Sequence, residues 1–401
     1  MIVVVVDILI YIIFSWVMCY FAENSRSRFP ENRKMDKYLW RYVLFFTSIS
    51  AIRWGVGADS ISYAEYFTNG ITANGELISE MDKEVIMFQF FHLIHDMNLH
   101  FSIGLGCLAF LQIFFLTFSL KEYKPILLCL PILMFGSCYF LDLMNGVRQM
   151  TVACIFVYSS RFIVQKKPFH YFIFVLIAYY CHNSALILAP FYFIPSFINV
   201  ANHRTLMMVV YTLCFVFGLT PQFQGIIQFV KVIAVFIGYE SYTDRVEEYL
   251  SGSYSAEIHA LGPMQLSYLM IGYFVIWFGP YLKRKYEKKI PYFNLWYFFA
   301  FFYGCAFFLV TNTSHIFIRP VQYFELFQMI IASLLLYELF CKENRLLFSY
   351  VVKYGFLFVI WINIIWNVVK ADTQTNPEEK EYVTYKTFFM HLDEVQMINK
   401  Q

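Results

Sequence analysis

Charge is what this sequence most lacks. Of its 401 residues only 14% are Asp, Glu, Lys or Arg, while 59% are hydrophobic and 21% aromatic. Soluble domains carry about a quarter charged residues. The shortage, with a mean hydropathy of +0.55, excludes an ordinary water-soluble domain and points to an integral membrane protein. Net charge is only +2, so there is no bulk positive field for nucleic acid. The nine cysteines show no metal-ligand spacing. Cys107, Cys129, Cys154, Cys214 and Cys305 stand inside apolar runs and read as reduced packing residues. Nucleotide chemistry lacks its signatures, with neither a Walker-type glycine loop nor a dinucleotide fingerprint, and there is no serine nucleophile elbow or DxD pair. No internal repeat or low-complexity tract appears. Residues 2–21 have neither a basic leading region nor a small-residue cleavage site, and read as a retained span rather than a signal peptide.

What is present is a succession of apolar runs: 2–21, 38–52, 101–120, 125–141, 147–164, 169–181, 184–198, 205–219, 264–282, 292–310, 320–340 and 348–369. A helix needs about 20 residues to cross the hydrocarbon. The pattern predicts an all-α, polytopic integral membrane bundle of about twelve transmembrane helices. It forms a single transmembrane domain over residues 1–401, with interfacial helices on its outer face.

Basic residues test that count. Arg26, Arg28, Arg33, Lys34 and Lys37 crowd the first loop, Lys121 and Lys124 the next, then come Lys166 and Lys167, Arg204, the run Lys283, Arg284, Lys285, Lys288 and Lys289, and finally Lys342 and Arg345. All fall on one side, as the positive-inside rule requires, only if the chain turns at His182. Merging 169–198 into one span would put the 283–289 cluster outside. Both termini are therefore expected outside. The outer segments are 53–100, 142–146, 182–183, 221–263, 311–319 and a weakly docking tail, 371–401. Within them 85–97 reads as an amphipathic helix at the outer interface. Residues 225–238 read as interfacial or re-entrant, and 239–254 as a tyrosine-rich surface.

This topology gathers the chemistry on one face. Arg53 ends the second span, with Asp59 and Tyr63 just beyond; Arg148, followed by Gln149, opens the fifth; His182 stands at the turn after the sixth, with Ser184 behind it; His315 and Arg319 precede the eleventh, near Tyr323. Ionisable groups at the edge of a membrane bundle are functional candidates by default. The planar donor fork of guanidinium suits phosphate oxygens, so a basin of arginines suits a lipid phosphate or diphosphate. The alternatives are headgroup snorkelling, ion pairs with Asp59, Asp142 or Glu325, and a satisfied interface histidine at His182. Gly55 and Gly57 permit a tight return that brings Asp59 towards Arg53. Asp82 and Glu84 could invite a metal, but only these two carboxylates are close there, and a hard cation needs several converging oxygens.

Four motifs carry a resemblance. Arg53-x-x-x-Gly57-x-Asp59-x-x-x-Tyr63-x-x-x-Phe67, Asn145-x-x-Arg148-Gln149, and His182-x-Ser184-Ala185 with Pro190 behind resemble the EpsG family of bacterial membrane proteins, which groups with Wzy-type polysaccharide polymerases. Arg319-x-x-x-Tyr323-Phe324 is similar to that family's C-terminal arginine motif. The series covers roughly residues 38–338, and Ala58 and Ser60 depart from the family's usual Thr and aromatic. The resemblance implies a polymerase that joins undecaprenyl-diphosphate-linked oligosaccharide repeat units on the outer face of the bacterial inner membrane. Donor and acceptor are then both lipid-linked, a chain-length regulator protein is a possible partner, and the scheme needs neither cofactor nor metal. Arg53, Arg148 and Arg319 would steady the departing diphosphate. His182 would take the acceptor proton. Asp59, Tyr63, Gln149, Ser184, His315 and Tyr323 would bind substrate. A flippase for the same lipid-linked oligosaccharide, an O-antigen-ligase-like transferase and an inert scaffold of an export complex are the rival readings.

Overall fold

The computed structural model describes residues 2–30, 32–57, 59–70, 77, 84–194, 198–220, 262–311, 315–340, 350–373 and 384–391; the side chains of 2–4, 315, 316 and 371–373 lie outside the description. Among the described residues the chain is helical, with no strand longer than an isolated bridge. That follows from the composition. Backbone polar groups have no water to bond in a lipid-like interior, and a helix satisfies them within one segment.

The helices are α1 (Ile2–Arg28), α2 (Lys37–Ala51), α3 (Ser60–Asn69), α4 (Val85–Asp96), α5 (Phe101–Leu120), α6 (Lys124–Gly136), α7 (Tyr139–Asn145), α8 (Val147–Val164) and α9 (Pro168–Cys181). A 3-10 helix, Asn183–Phe193, follows, then α10 (Arg204–Gly218), α11 (Pro263–Tyr286), α12 (Phe293–Val310), α13 (His315–Gln322), α14 (Glu325–Phe340) and α15 (Tyr350–Thr373).

Four of these, α1, α5, α12 and α15, are long and apolar enough to cross a membrane. The count becomes five if α6 and α7, bent by 77° at their junction, are one broken span. The expected figure of about twelve is not reached on that measure. Helices α2 and α10 have 15 residues, α9 has 14 and α14 has 16, all short of the usual span. The run expected over 184–198 is not an α-helix. It is the eleven-residue 3-10 segment containing Pro190, which at about 2 Å rise per residue extends about 22 Å. It doubles back along α9: the Tyr171 hydroxyl donates to the Leu188 carbonyl at 2.6 Å, and the Tyr171 and Tyr192 rings lie 5.5 Å apart. The chain therefore does turn at His182. The helix expected over 85–97 is present as α4. Residues 225–238 and 239–254 lie outside the described residues.

Two ends of the bundle differ in character. At one, Arg33, Glu122, Lys289 and Tyr292 line a common cavity, Gln165 donates to the Tyr292 hydroxyl at 3.2 Å, and Arg204 and Arg284 share a second cavity beside Trp277. The basic loops thus gather at one end. At the other lie the break between α6 and α7 and the joint between α7 and α8. Cys138, at the break, adopts a left-handed backbone (φ +67°), a strained choice for a residue with a Cβ. The side-chain amide of Gln112 on α5 donates to the carbonyls of Leu143 and Val147, both at 3.1 Å. The bond to Leu143 satisfies a carbonyl in the last turn of α7, where a helix leaves carbonyls without partners. That joint is held against α5 for what it presents next.

Candidate active site

Between these elements lies a cavity of about 820 Å³, lined by residues that include Asp59, Tyr63, Asp142, Asn145, Arg148, Gln149, His182, Tyr268, Tyr303, Arg319, Gln322, Glu325 and Lys370. Six of the ten residues predicted from sequence meet in it: Asp59, Tyr63, Arg148, Gln149, His182 and Arg319. Their elements are far apart in the chain. Arg148 sits in the first turn of α8, His182 caps the C-terminus of α9, and Arg319 is on α13.

The centre of the site is a residue outside those ten. Glu84, the residue before α4, ion-pairs through one carboxylate oxygen with Arg148 and shares a hydrogen bond through the other with Nδ1 of His182. The backbone N–H of Asn183 adds a bond at 3.3 Å. Glu84 is 7% exposed, and its own backbone is left-handed at φ +55°. Such strain in a residue with a Cβ persists only where the surroundings over-determine it, and it concentrates at functional sites. Burial alone pushes the Glu84 carboxyl up. The His182 hydrogen bond and then the Arg148 charge outweigh burial and hold it below the usual carboxylate range. Sequence reading weighed Glu84 only as a metal ligand beside Asp82, which lies outside the described residues, and proposed Asp59, Asp142 or Glu325 as the arginines' ion-pair partners. The partner of Arg148 is Glu84.

Around this triad the remaining cavity groups are set in turn. The Arg148 guanidinium lies 5.4 Å from the Phe88 ring centre, and its charge acts on the Tyr63 hydroxyl. Burial raises Tyr63 above its ordinary value, with Arg148 partly offsetting it. Asp59 is accessible in the cavity, and its carboxyl is raised by the enclosing protein, partly offset by Arg319 and then Arg148. Its backbone N–H donates to Asn145 Oδ1 at 2.8 Å. Gly57 makes this approach possible: it sits at φ +92°, and a Cβ there would lie 3.2 Å from Asn145 Cβ. The Gln149 amide donates to the Arg319 carbonyl at 2.6 Å and to Gln322 Oε1 at 2.8 Å, tying α8 to α13. The Arg319 guanidinium is exposed and makes no ion pair among the described residues.

The other four predicted residues lie elsewhere. Arg53 is 2% exposed and does not line the cavity. Its guanidinium donates to the carbonyls of Ser50 (2.6 Å) and Met144 (2.9 Å), bracing the end of α2 against α7. Asp59 is therefore not its partner. The tail packs over it: Thr387 bridges Arg53, Trp54 N–H donates to the Lys386 carbonyl at 2.9 Å, and the Tyr385 hydroxyl donates to the Ile49 carbonyl at 2.6 Å. The tail expected to dock weakly is, over 384–391, bonded to the α2 end. Ser184 and Tyr323 share a 2.5 Å hydrogen bond behind the cavity, with Tyr323 fully buried. The His315 side chain lies outside the description.

An all-helical bundle with several helices apolar enough to cross a bilayer, and a polar cavity between helix ends, defines a multi-pass membrane protein. The EpsG family model matches residues 37–387, and the chain belongs to that family. Comparison with curated proteins and with solved structures returns no match.

Proposed function

We propose that this protein is a polysaccharide polymerase of the bacterial inner membrane, a glycosyltransferase that uses lipid diphosphate as its leaving group. Family membership supports the polymerase class. The observation that carries the reading is the convergence of Arg148, Arg319 and His182 on one cavity, with Glu84 joined to both Arg148 and His182.

The chemistry follows from that geometry. The donor is a growing glycan on undecaprenyl diphosphate, and the acceptor is a single lipid-linked repeat unit. Glu84 accepts the Nδ1–H of His182, so the neutral ring keeps its lone pair on Nε2, available to the acceptor hydroxyl. The hydroxyl oxygen bonds to the anomeric carbon as its proton passes to Nε2, and the bond to the lipid diphosphate breaks. Glu84 steadies the imidazolium that forms. Charge develops on the departing diphosphate, where Arg319, without an ion pair among the described residues, meets it, with Arg148 beside it. Asp59, Tyr63 and Gln149 position the substrates. Arg53 acts through Met144 as a positioning residue for the α7–α8 joint, and Ser184 and Tyr323 support the cavity from behind.

The same reading takes the chain through the membrane about twelve times, both termini and the cavity outside. It is supported by the gathering of basic loops at one end and the turn at His182. A chain-length regulator is a partner to be sought.

The test is purified protein with defined lipid-diphosphate repeat units. Polymer should form. Arg319→Lys keeps the charge but loses the fork, and should cut the rate by about a hundredfold in a protein that still inserts. No polymer from the wild type would defeat the proposal.

A further inference from the structure

The basic end of the bundle holds a cavity that the proposed chemistry does not use. It opens between α10 and α11, has a volume of about 750 Å³, and is lined by residues that include His203, Arg204, Thr205, Trp277, Tyr281 and Arg284. None of its described lining residues is acidic. The carboxylates that reach the end of α11 are engaged by its lysines: Glu287 pairs with Lys283 at 3.5 Å, and Glu338 with Lys285. Arg204 and Arg284 are both exposed, and neither makes an ion pair among the described residues.

Two cations in one cavity repel unless an anion joins them. The fold nonetheless holds them there. The Arg204 guanidinium lies 4.4 Å from the centre of the Trp277 ring, a cation–π contact that fixes its place. The first turn of α10, from Arg204 to Leu206, lines the same cavity, and His203 gives it no side-chain cap. Its leading N–H groups add partial positive charge to that of the arginines. An anion with several oxygens satisfies these donors together, and phosphate matches the guanidinium fork.

A second observation says what carries the phosphate. Leu206, Val209 and Leu213 on α10, and Leu266, Met270 and Trp277 on α11, are exposed. Spacings of three, four and seven residues put each set on one helix face. Each stripe begins in the cavity lining itself, with Leu206 and with Trp277. Farther along, Thr212 and Tyr273 join the two helices at their exposed surface by a 2.6 Å hydrogen bond. A phosphate in the cavity therefore sits at the head of two adjacent apolar tracks.

We propose that this cavity binds the phosphate of an anionic glycerophospholipid whose acyl chains lie along α10 and α11. Zwitterionic lipid is the weaker ligand, because its headgroup brings an ammonium to two arginines that no described carboxylate neutralises.

Lipid binding is read without turnover. The full chain in neutral detergent is titrated with phosphatidylglycerol and with phosphatidylcholine of the same acyl chains, and bound lipid is counted by native mass spectrometry. Phosphatidylglycerol should bind at least about tenfold tighter. Arg204→Gln combined with Arg284→Gln, two exposed positions, should bring the two lipids within about threefold of each other. Lys166→Gln combined with Lys167→Gln, exposed at the same end but outside the cavity lining, should leave the preference unchanged. Glycerol 3-phosphate, which lacks the chains, should bind at least about a hundredfold more weakly than the lipid. Equal binding of the two lipids overturns the proposal, as does a preference that survives loss of both arginines. A preference lost equally in the lysine variant means a diffuse basic surface and overturns the site. Glycerol 3-phosphate that binds as tightly as the lipid overturns the lipid as its occupant.

Discussion

Glu84 and His182, 98 residues apart in the chain, are joined by a hydrogen bond to Nδ1 of the imidazole. The same carboxylate holds Arg148. One buried acid thereby fixes the tautomer of a proposed base and the position of a proposed cation, and couples helix α4 to the ends of α8 and α9.

That coupling has a pH signature. The Glu84 carboxyl is held below the usual carboxylate value, near 4.3, because the His182 bond and the Arg148 charge outweigh burial. Its contribution to stability is complete above the unfolded value and is lost as pH falls through the lower, folded one. The thermal midpoint of the wild type should hold its Glu84 contribution down to about pH 5 and lose it below about pH 4. Glu84→Gln should melt lower at neutral pH, by about 2 kcal/mol in stability, and lose that part of the acid decline. Identical melting curves for the two proteins at pH 7 would show that the carboxylate holds nothing together.

Arg53 makes a different prediction. It is buried, with two backbone carbonyls as acceptors and its Nε unpartnered among the described residues. Arg53→Met should lower stability by about 2–3 kcal/mol by stranding those carbonyls, and reduce the amount of folded protein. The KM of whatever folds should stay within about threefold of the wild type, because the side chain does not reach the cavity. A variant with normal stability and a KM raised about tenfold or more would return Arg53 to substrate binding.

The one-sided basic pattern predicts topology. Cysteine placed at Asn183 should label from outside, and cysteine at Lys166 or Lys285 only from the cytoplasm. Labelling of Lys285→Cys from outside would break the proposed arrangement, since Lys285, with Arg284 and Lys289, belongs to the basic end of the bundle.

Much of this was legible from apolar run edges. Arg148, His182 and Arg319 were visible as charges at run ends, and the basic loops demanded a turn at His182; the structure brings all three to one cavity. Glu84 was not legible. It precedes an amphipathic run, and its partners lie 64 and 98 residues away, a separation that no local spacing reveals. The left-handed Cys138 that breaks α6 from α7 carries no mark, because ordinary side chains seldom adopt that backbone and glycine is the usual signal. Burial of Arg53 was hidden for a related reason: an arginine at a helix end reads as exposed until a distant segment, here 384–391, packs over it. Asp142 and Glu325, which both line the cavity, were seen only as possible partners for arginines, since they lie on helices that meet only in the fold.

The central claim is that His182 moves a proton in glycosyl transfer, and it is tested most directly by the pH–rate profile of His182→Gln on defined lipid-linked repeat units. Glutamine keeps a hydrogen bond to Glu84 but accepts no proton. Turnover should fall by about a hundredfold or more, with the acid limb of the profile flattened, while expression and lipid binding stay normal. Ser184→Ala should be far milder, since its hydroxyl bonds Tyr323 behind the cavity. A His182→Gln protein that polymerises at the wild-type rate, with the same pH profile, would contradict the account and leave Asp59, the accessible carboxylate of the cavity, as the remaining base.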